Sequence, residues 1–287
     1  MAQYTKMNEY ISTADGTEGT LLIPKLIMPT LLEAVDKNLI PREMAAQVWG
    51  PSQIQGSSFT VNLEEPDTMT VRLVGEGAEV PLDNIDFETV TYTPKKYGVA
   101  IRITREMIED SQFELLQRNI RTAGKRFAEN EQKLVLTVLD EANSTVAGGA
   151  QFTIANLTEA MENVESEDYT PTDMVCGYEV LRDLRNIDTF VEADKAGDTD
   201  MLSRGFKGTI FGLSVAIFSD KASPTPGTYK KYAYIFDRTQ TYGIAIARDL
   251  SVENLTMPTY DMEGAVLTQR IDVAILRSKA VSKVTTA

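Results

Sequence analysis

One stretch of the sequence constrains the fold more than any other, because residues 104–141 carry the pattern of a single long helix beginning after Ser111. Ser111 followed three residues later by Glu114 is a capping box, whose two side chains satisfy backbone amides of the first turn. Apolar residues recur along one side of the helix, at Leu116, Ile120, Ala123, Phe127, Leu134 and Val138. A helix over 111–139 would be roughly 40 Å long, so we expect it to connect distant parts of the fold.

The other side of this predicted helix is charged. Residues four apart form three pairs of opposite charge, Glu114/Arg118, Lys125/Glu129 and Glu129/Lys133. Side chains at this spacing are neighbours on a helix surface. We therefore expect one side of the helix to be buried and the other to face solvent.

Composition narrows the possible functions. The chain has 287 residues, 43% of them hydrophobic, which is enough for one large or two smaller domains. Its net charge of -14 argues against a surface that neutralises the phosphates of DNA or RNA. It contains no histidine, which excludes histidine-dependent triads and the common zinc sites. We expect no enzymatic activity, no catalytic residue, no cofactor and no metal site.

Three features that resemble chemical sites have simpler interpretations. Cys176 lies in an apolar run, which favours a buried hydrophobic residue over a nucleophile. Gly75 and Gly77 lack the third glycine and the following helix of a phosphate-binding loop. The acidic residues of 191–200 do not have the spacing of an EF-hand, so we expect an acidic surface loop there.

The sequence predicts neither a membrane span nor an export signal. No run of about 18 apolar residues is present. The first 20 residues lack the basic head and apolar middle of a signal peptide. We expect the chain to be located in a cytoplasm.

The first part of the chain is expected to consist of extensions. Residues 1–20 are polar and predict an arm. Residues 29–40 predict a short amphipathic helix that stops before Pro41. Residues 58–64 and 68–74 alternate as strands do, and predict a β-hairpin.

That hairpin region is expected to continue into a longer projection. Residues 75–84, GEGAEVPLDN, are polar and contain glycine and proline, which favours a flexible tip. The strand pattern of 86–93 then predicts the return of a long hairpin. A protruding hairpin has no use in a monomer, so this segment is a candidate contact to another molecule.

The second part of the chain has a mixed pattern. Residues 144–153 are expected to form a loop, and 157–166 and 177–187 to form helices. Strands are predicted within 173–177, 208–219, 232–237, 242–247 and, as long antiparallel strands around the turn PTYDMEG, within 251–284. This order of elements favours an α+β fold.

Several strings of residues, taken in order, resemble the major capsid proteins of tailed viruses, which share the Hong Kong 97 fold. These strings are GTLLIPKLIMPTLLEAV, then GEGAEVP followed by FETVTYTPKKYGVAIRITREMIEDS, then FKGTIFGLSVAIFSD. The last departs from the family pattern, because Leu213 and Ser214 stand where a proline is usual. The resemblance covers nearly the whole chain.

The resemblance implies an α+β fold with defined parts. These parts are an N-terminal arm with a short helix (1–57), an extended β-hairpin loop (58–95), a peripheral domain (96–150 and 249–276) with a spine helix (111–139), and a mixed α/β axial domain (151–248 and 277–287). It also implies a set of residues that contact neighbouring subunits: Gly75, Glu76, Gly77, Ala78, Glu79, Val80, Pro81, Pro258, Thr259, Tyr260 and Asp261.

The function implied is assembly. The chain would form hexamers and pentamers that build an icosahedral shell around double-stranded DNA, without sequence-specific binding and without a membrane. Its other partners would be a portal and a scaffolding or cementing protein, with assembly in the host cytoplasm and residence in the virion. The bottom-up interpretation agrees, because an arm, a projecting hairpin and a long helix expose apolar faces that one chain cannot cover.

Some relatives interlock their shells with a bond between a loop lysine and an asparagine of the next subunit. Here Gly77 stands at the position matching that lysine, and no lysine occurs between Pro51 and Pro94. No asparagine follows Asn254. We therefore expect non-covalent contacts, or a separate cementing protein, to hold the shell.

Two alternatives remain open from the sequence. An encapsulin-type nanocompartment resembles the same fold but encloses cargo enzymes rather than DNA. An unrelated carboxylate-based hydrolase is supported only by the abundance of aspartate and glutamate.

Overall fold

The computed structural model describes residues 40–54, 56–64, 71–77, 79–80, 82, 87–104, 113–187, 209–260 and 262–286. Their α-helices are α1 (Ile40–Glu43), α2 (Phe113–Leu139), α3 (Ile154–Glu165) and α4 (Tyr178–Arg185). Their strands are β1 (Gln47–Trp49), β2 (Phe59–Glu64), β3 (Phe87–Tyr92), β4 (Lys95–Thr104), β5 (Ser144–Ala147), β6 (Asp173–Cys176), β7 (Thr209–Ile210), β8 (Leu213–Ile217), β9 (Tyr232–Phe236), β10 (Tyr242–Met257), β11 (Met262–Ile275) and β12 (Val281–Thr285).

A four-stranded sheet with the order β1-β10-β11-β4 forms one unit of the fold. Its long strands β10 and β11 are antiparallel, and β10 has register shifts on both sides of Arg248. The sequence predicted separate strands at 242–247 and from 251, but the structure has one strand. Irregularities of this kind let a strand bend without ending.

The predicted long helix is present as α2 and packs on one face of this sheet. Ala123 and Phe127 of the apolar side are buried against Leu250, Ala265 and Leu267. Further along, Val138 is buried and Leu134 is half-buried. The predicted cap at Ser111 and the side chains of Leu116 and Ile120 lie outside the described residues.

The described part of the charged side of α2 differs from its prediction, and the side chains of the predicted pair Glu114/Arg118 lie outside the described residues. Glu129 forms its ion pair with Arg126, three residues earlier, at 2.7 Å from Arg126 Nη1 to Glu129 Oε2. The predicted partners Lys125 and Lys133 are both exposed. Spacings of three and four residues are both neighbours on a helix, so the sequence pattern does not choose between them.

A six-stranded sheet with the order β5-β12-β9-β6-β8-β7 forms the second unit. Leu157 and Ala160 of α3 and Val180 and Leu184 of α4 are buried in its core cluster. Thr153 caps α3 in a capping box with Asn156. The predicted helices and central strands of this part of the chain are therefore present.

One prediction for this sheet is wrong. Residues 144–153 were expected to be a loop, but Ser144–Ala147 forms β5, parallel to β12 at the edge of the sheet. The sequence signal for β5 is weak, because a strand of four residues followed by two glycines is too short to show an alternation of apolar and polar residues. Its partner strand β12 is also more than 130 residues away in the sequence. With β5 in this sheet and 242–248 in the other, the sheets do not divide the chain at the predicted boundaries of 150 and 248.

The predicted hairpin between 58–64 and 68–74 is also wrong. β2 pairs with β3 instead, antiparallel from Phe59↔Tyr92 to Glu64↔Phe87. Residues 71–75 form no strand. The base of the long hairpin is therefore built from β2 and β3.

Of the short helix predicted over residues 29–40, only Ile40 lies within the described residues, as the first residue of α1. The predicted helix was expected to end before Pro41, but α1 spans Ile40–Glu43 and contains Pro41. Proline is accommodated in the first turn of a helix, where its missing N–H has no partner to lose. Residues 29–39, where the helix was expected, lie outside the described residues.

The two sheets share one core along the second half of α2. Leu136 and Leu139 of the helix cluster with Ile244 and Ile271 of the four-stranded sheet and with Tyr234 of the six-stranded sheet. The observed fold belongs to the predicted α+β class. The long helix connects its two parts, as its length suggested.

Candidate functional site

The first predicted contact segment, 75–81, lies beyond the base of the β2–β3 hairpin. Gly75, Glu76, Gly77, Glu79 and Val80 are all exposed. Gly77 adopts a φ of 78°, a left-handed conformation that glycine takes without strain. Ala78 and Pro81 lie outside the described residues.

The residues around this segment expose apolar side chains. Val71 and Leu73 have relative exposures of 103% and 104%, and Leu82 has 96%. Phe87 at the start of β3 is also exposed, as is Val80. Apolar side chains concentrated on a projecting segment are typical of a contact surface.

The second predicted contact segment, 258–261, is the turn between β10 and β11. Pro258–Tyr260 forms one turn of 3-10 helix, in which Thr259 and Tyr260 are exposed. Tyr260 is one of the most exposed aromatic residues of the described chain, at 70%. Asp261 lies outside the described residues.

The β10–β11 turn lies far from the base of the hairpin between whose strands the first segment lies. Tyr92 and Phe59 of the hairpin cluster with Ala245 near the start of β10. The turn at Pro258 follows the end of the same strand, roughly 40 Å away at about 3.3 Å per residue.

A buried ion pair that sequence reasoning missed fixes the N-terminal segment to the long helix. Nε and Nη2 of Arg42 donate to the two carboxylate oxygens of Glu131, at 2.9 and 2.6 Å. Gln269 Nε2 of β11 donates to Glu131 Oε1 at 2.6 Å, and Glu131 is only 1% exposed. Burial lowers the pKa of the Arg42 guanidinium, but the hydrogen bonds and charge of Glu131 raise it overall.

A second polar cluster joins the end of α2 to the six-stranded sheet. Asp140 accepts hydrogen bonds from the hydroxyls of Tyr229 and Tyr234 and from Lys283 Nζ, the last at 2.6 Å. Burial acts to raise the pKa of Asp140, and these hydrogen bonds with the charge of Lys283 lower it overall. Burial and the hydrogen bonds to Asp140 raise the pKa values of Tyr229 and Tyr234. Both clusters hold the fold together.

No chemical site emerges among the residues that the structure describes. Cys176 is buried, and burial raises the pKa of its thiol to about 12, which keeps it protonated at neutral pH. Within the described ranges, no group of three acidic or thiol side chains is arranged to hold a metal ion. None of the described helices is both long enough and apolar enough to cross a membrane. The acidic segment 191–200 lies outside the described residues.

Comparison with known proteins identifies the family. A model of the phage capsid protein family matches residues 87–284, more than half of the chain. The chain belongs to the phage capsid protein family. No curated protein sequence matches this capsid protein.

Solved structures share the fold of this capsid protein at low sequence identity. A structure from Microbacterium phage Oxtober96 matches 86% of the chain and 91% of its own, with a TM-score of 0.66 and 14% identity. The capsid of a native GTA particle, computed with C5 symmetry, matches 87% and 90%, with a TM-score of 0.66 and 16% identity. A virus-like particle from Pyrococcus furiosus matches 89% and 96%, with a TM-score of 0.60 and 14% identity.

These matches agree with the Hong Kong 97 resemblance of the sequence. The protein is therefore a structural component of a phage capsid and belongs to the virion.

Proposed function

We propose that the capsid protein forms hexamers and pentamers that close into a shell around double-stranded DNA. The observation that supports this most directly is the exposure of Val71, Leu73 and Leu82 on a segment projecting from the fold. Leaving these side chains in water forgoes a stabilisation of about 1.5–3 kcal/mol each, which contact with another subunit would recover. We therefore expect these apolar side chains to be buried against another subunit.

The parts of the subunit have distinct roles in this proposal. The four-stranded sheet with α2 acts as the peripheral domain, and the six-stranded sheet with α3 and α4 acts as the axial domain around which hexamers and pentamers form. The arm (1–57) and the extended loop (58–95) reach over neighbours. The contact residues in the loop are Gly75, Glu76, Gly77, Ala78, Glu79, Val80 and Pro81, and those at the β10–β11 turn are Pro258, Thr259, Tyr260 and Asp261.

The acidic chain suits a shell that must release its contents. A net charge of -14 limits attraction to DNA phosphates, so we propose that the genome is enclosed without sequence-specific binding. A portal and a scaffolding or cementing protein complete the assembly, which takes place in the host cytoplasm. Assembly of this kind requires no chemical reaction by the subunit.

The proposal is tested by electron microscopy of the protein produced alone and together with its neighbouring viral genes. Closed particles with rings of five and six subunits are expected. Particles isolated from infected cells should contain DNA that resists nuclease until the shell is opened. A chain that stays monomeric under both conditions would contradict the proposal.

The alternative is an encapsulin-type compartment that encloses cargo enzymes. The similarity in fold to the Pyrococcus furiosus virus-like particle supports this alternative. Mass spectrometry of purified native particles separates the two functions. An enzyme enclosed in stoichiometric amounts, with no nucleic acid, would favour the compartment.

A further inference from the structure

The exposed side of α2 carries charge of one sign. Seven side chains of the described part of this helix are exposed: Asn119, Arg121, Thr122, Lys125, Arg126, Lys133 and Thr137. Four of these side chains are cations and none is an acid. The whole chain has 42 acids and 28 basic residues, so the charge of this side of the helix is opposite in sign to the net charge of the protein.

The acids in the described part of α2 do not cancel these cations. Glu131 is buried and its carboxylate binds Arg42. Glu129 is half-buried and pairs with Arg126, at 2.7 Å from Nη1 to Oε2. The first exposed acid that follows is Glu141, which lies beyond the end of the helix. Four exposed cations and one half-buried acid therefore leave a local excess of three positive charges.

The cations are spaced along the helix. Residues four apart are neighbours on a helix surface, and this spacing separates Arg121, Lys125, Glu129 and Lys133 in turn. The twelve residues from the first to the last of these span roughly 18 Å at ~1.5 Å per residue. Double-stranded DNA carries one phosphate charge per about 1.7 Å of its axis, so the same length of duplex presents roughly ten phosphates. We call Arg121, Lys125, Arg126 and Lys133 the basic face of α2.

The chemistry of the basic face fits a polyanion better than a protein. None of the exposed side chains in the described part of α2 is apolar, whereas the projecting loop exposes Val71 and Leu73. The centre of a protein interface is apolar and poor in charge, and the basic face offers no such centre. Lysine, arginine, threonine and asparagine side chains are donors that proteins use to bind phosphate oxygens.

The net charge of the protein does not prevent a local contact of this kind. At physiological ionic strength, exposed charges farther apart than about 8 Å are largely screened from one another. The basic face is longer than this distance, so a phosphate placed on it is influenced mainly by the cations beside it. An excess of three charges is small, however, and the resulting contact is weak and depends on salt.

We propose that the basic face of α2 lines the inside of the shell and contacts the phosphates of the enclosed DNA. This inference rests on the proposed shell function and specifies which surface of the subunit meets the genome. The contact is independent of DNA sequence, because phosphates are the same at every base pair. A weak contact repeated over many subunits holds DNA near the wall and still allows its release.

Neutralisation of the basic face tests this contact. Binding of the full-length, unassembled subunit to a duplex of about 30 base pairs of random sequence is measured by fluorescence anisotropy. Three phosphate contacts predict a fall in affinity of roughly 40-fold between about 50 and 200 mM salt. The variant R121Q/K125Q/K133Q should bind at least about tenfold more weakly at ~50 mM salt and lose most of this salt dependence. Glutamine is a good helix former, so α2 should be retained.

A matched control separates the basic face from net charge. The variant K96Q/R102Q/R185Q removes three exposed cations of β4 and α4 and changes the net charge by the same amount. It should bind the duplex with close to native affinity. Circular dichroism of all variants checks that each subunit stays folded. Closed particles provide a second control, because a face on the inside should leave them unable to bind duplex added from outside.

The outcomes separate this inference from the shell itself. Native affinity of R121Q/K125Q/K133Q, or an equal loss in K96Q/R102Q/R185Q, would overturn the contact and leave the shell intact. Closed particles that bind added duplex through the basic face would also overturn it, because the face would then lie outside. Loss of particles in R121Q/K125Q/K133Q with unchanged DNA binding would assign the face to a protein partner instead. If the unaltered chain forms no particles, the proposed shell fails and the inference fails with it.

Discussion

Two carboxylates carry the links between distant parts of the chain. Glu131 lies on α2 and binds Arg42 of α1, whereas Asp140 follows the end of α2 and binds Lys283 of β12. A carboxylate removed from water is stable only when cations and hydrogen-bond donors replace the lost hydration. Each link is therefore sensitive to the loss of one partner.

We predict that Arg42→Met destabilises the subunit by about 3 kcal/mol, because Glu131 remains as an uncompensated buried charge. Chemical denaturation measures this as a fall in the free energy of unfolding. The control is Arg42→Met combined with Glu131→Gln, which removes the charge as well and should recover part of the loss. Equal stability of the single variant and the native chain would show that the pair does not anchor α1.

A second prediction at this scale concerns pH. Since the folded-state pKa of Asp140 lies below its ordinary value of 3.8, its ionised form stabilises the fold at all pH values above that value. This stabilisation is lost as pH falls below about 4 and through the folded-state pKa. Asp140→Asn should reduce thermal stability at pH 7, and the difference from the native chain should narrow towards pH 3. A difference independent of pH would contradict this assignment.

At the scale of elements, α2 depends on its buried side. Phe127 is 3% exposed and packs against β10 and β11, so Phe127→Asp places an unpaired carboxylate in a closed apolar cluster. We expect a loss of ~3 kcal/mol or more in the free energy of unfolding, or insoluble protein. Lys125→Asp, two residues earlier and exposed, is the matched control and should melt close to the native temperature. A folded Phe127→Asp variant with native melting would contradict the buried side.

We expect the tip of the hairpin to be required for assembly but not for folding of the subunit. Glu64 of β2 pairs with Phe87 of β3, so Asn-Gly in place of residues 65–86 closes the two strands with a two-residue turn. Thermal melting of this variant should stay close to that of the native chain, because Val71, Leu73 and Leu82 contribute nothing to the subunit core. Its particle yield should fall to background in sedimentation. Normal particles would show that the loop is not an assembly element.

At the scale of the whole molecule, the shell is expected to be non-covalent. No lysine lies between Pro51 and Pro94, and Gly77, at the position matching the reactive lysine of some relatives, has no side chain to react. Boiling assembled particles in detergent should release a single band near 31.8 kDa. A ladder of covalent multimers on the gel would contradict this prediction.

The sequence by itself determined those elements whose residue pattern repeats over many consecutive positions. The 3.6-residue period of α2, the alternation of β10 and β11, and the family strings led to the α+β class without reference to any partner. In the predicted contact segments, the described loop residues Gly75, Glu76, Gly77, Glu79 and Val80 are exposed, as are Thr259 and Tyr260. Their role in assembly remains a proposal.

Only the tertiary structure decided which elements meet. Residues 58–64 and 68–74 both alternate, yet β2 pairs with β3, because pairing depends on the packing of Trp49, Tyr92 and Ala245 around the hairpin base. β5 exists because β12 supplies its hydrogen bonds from the other end of the chain. The Arg42–Glu131 pair has no signal in local sequence, since it joins residues 89 positions apart that only the folded chain brings together.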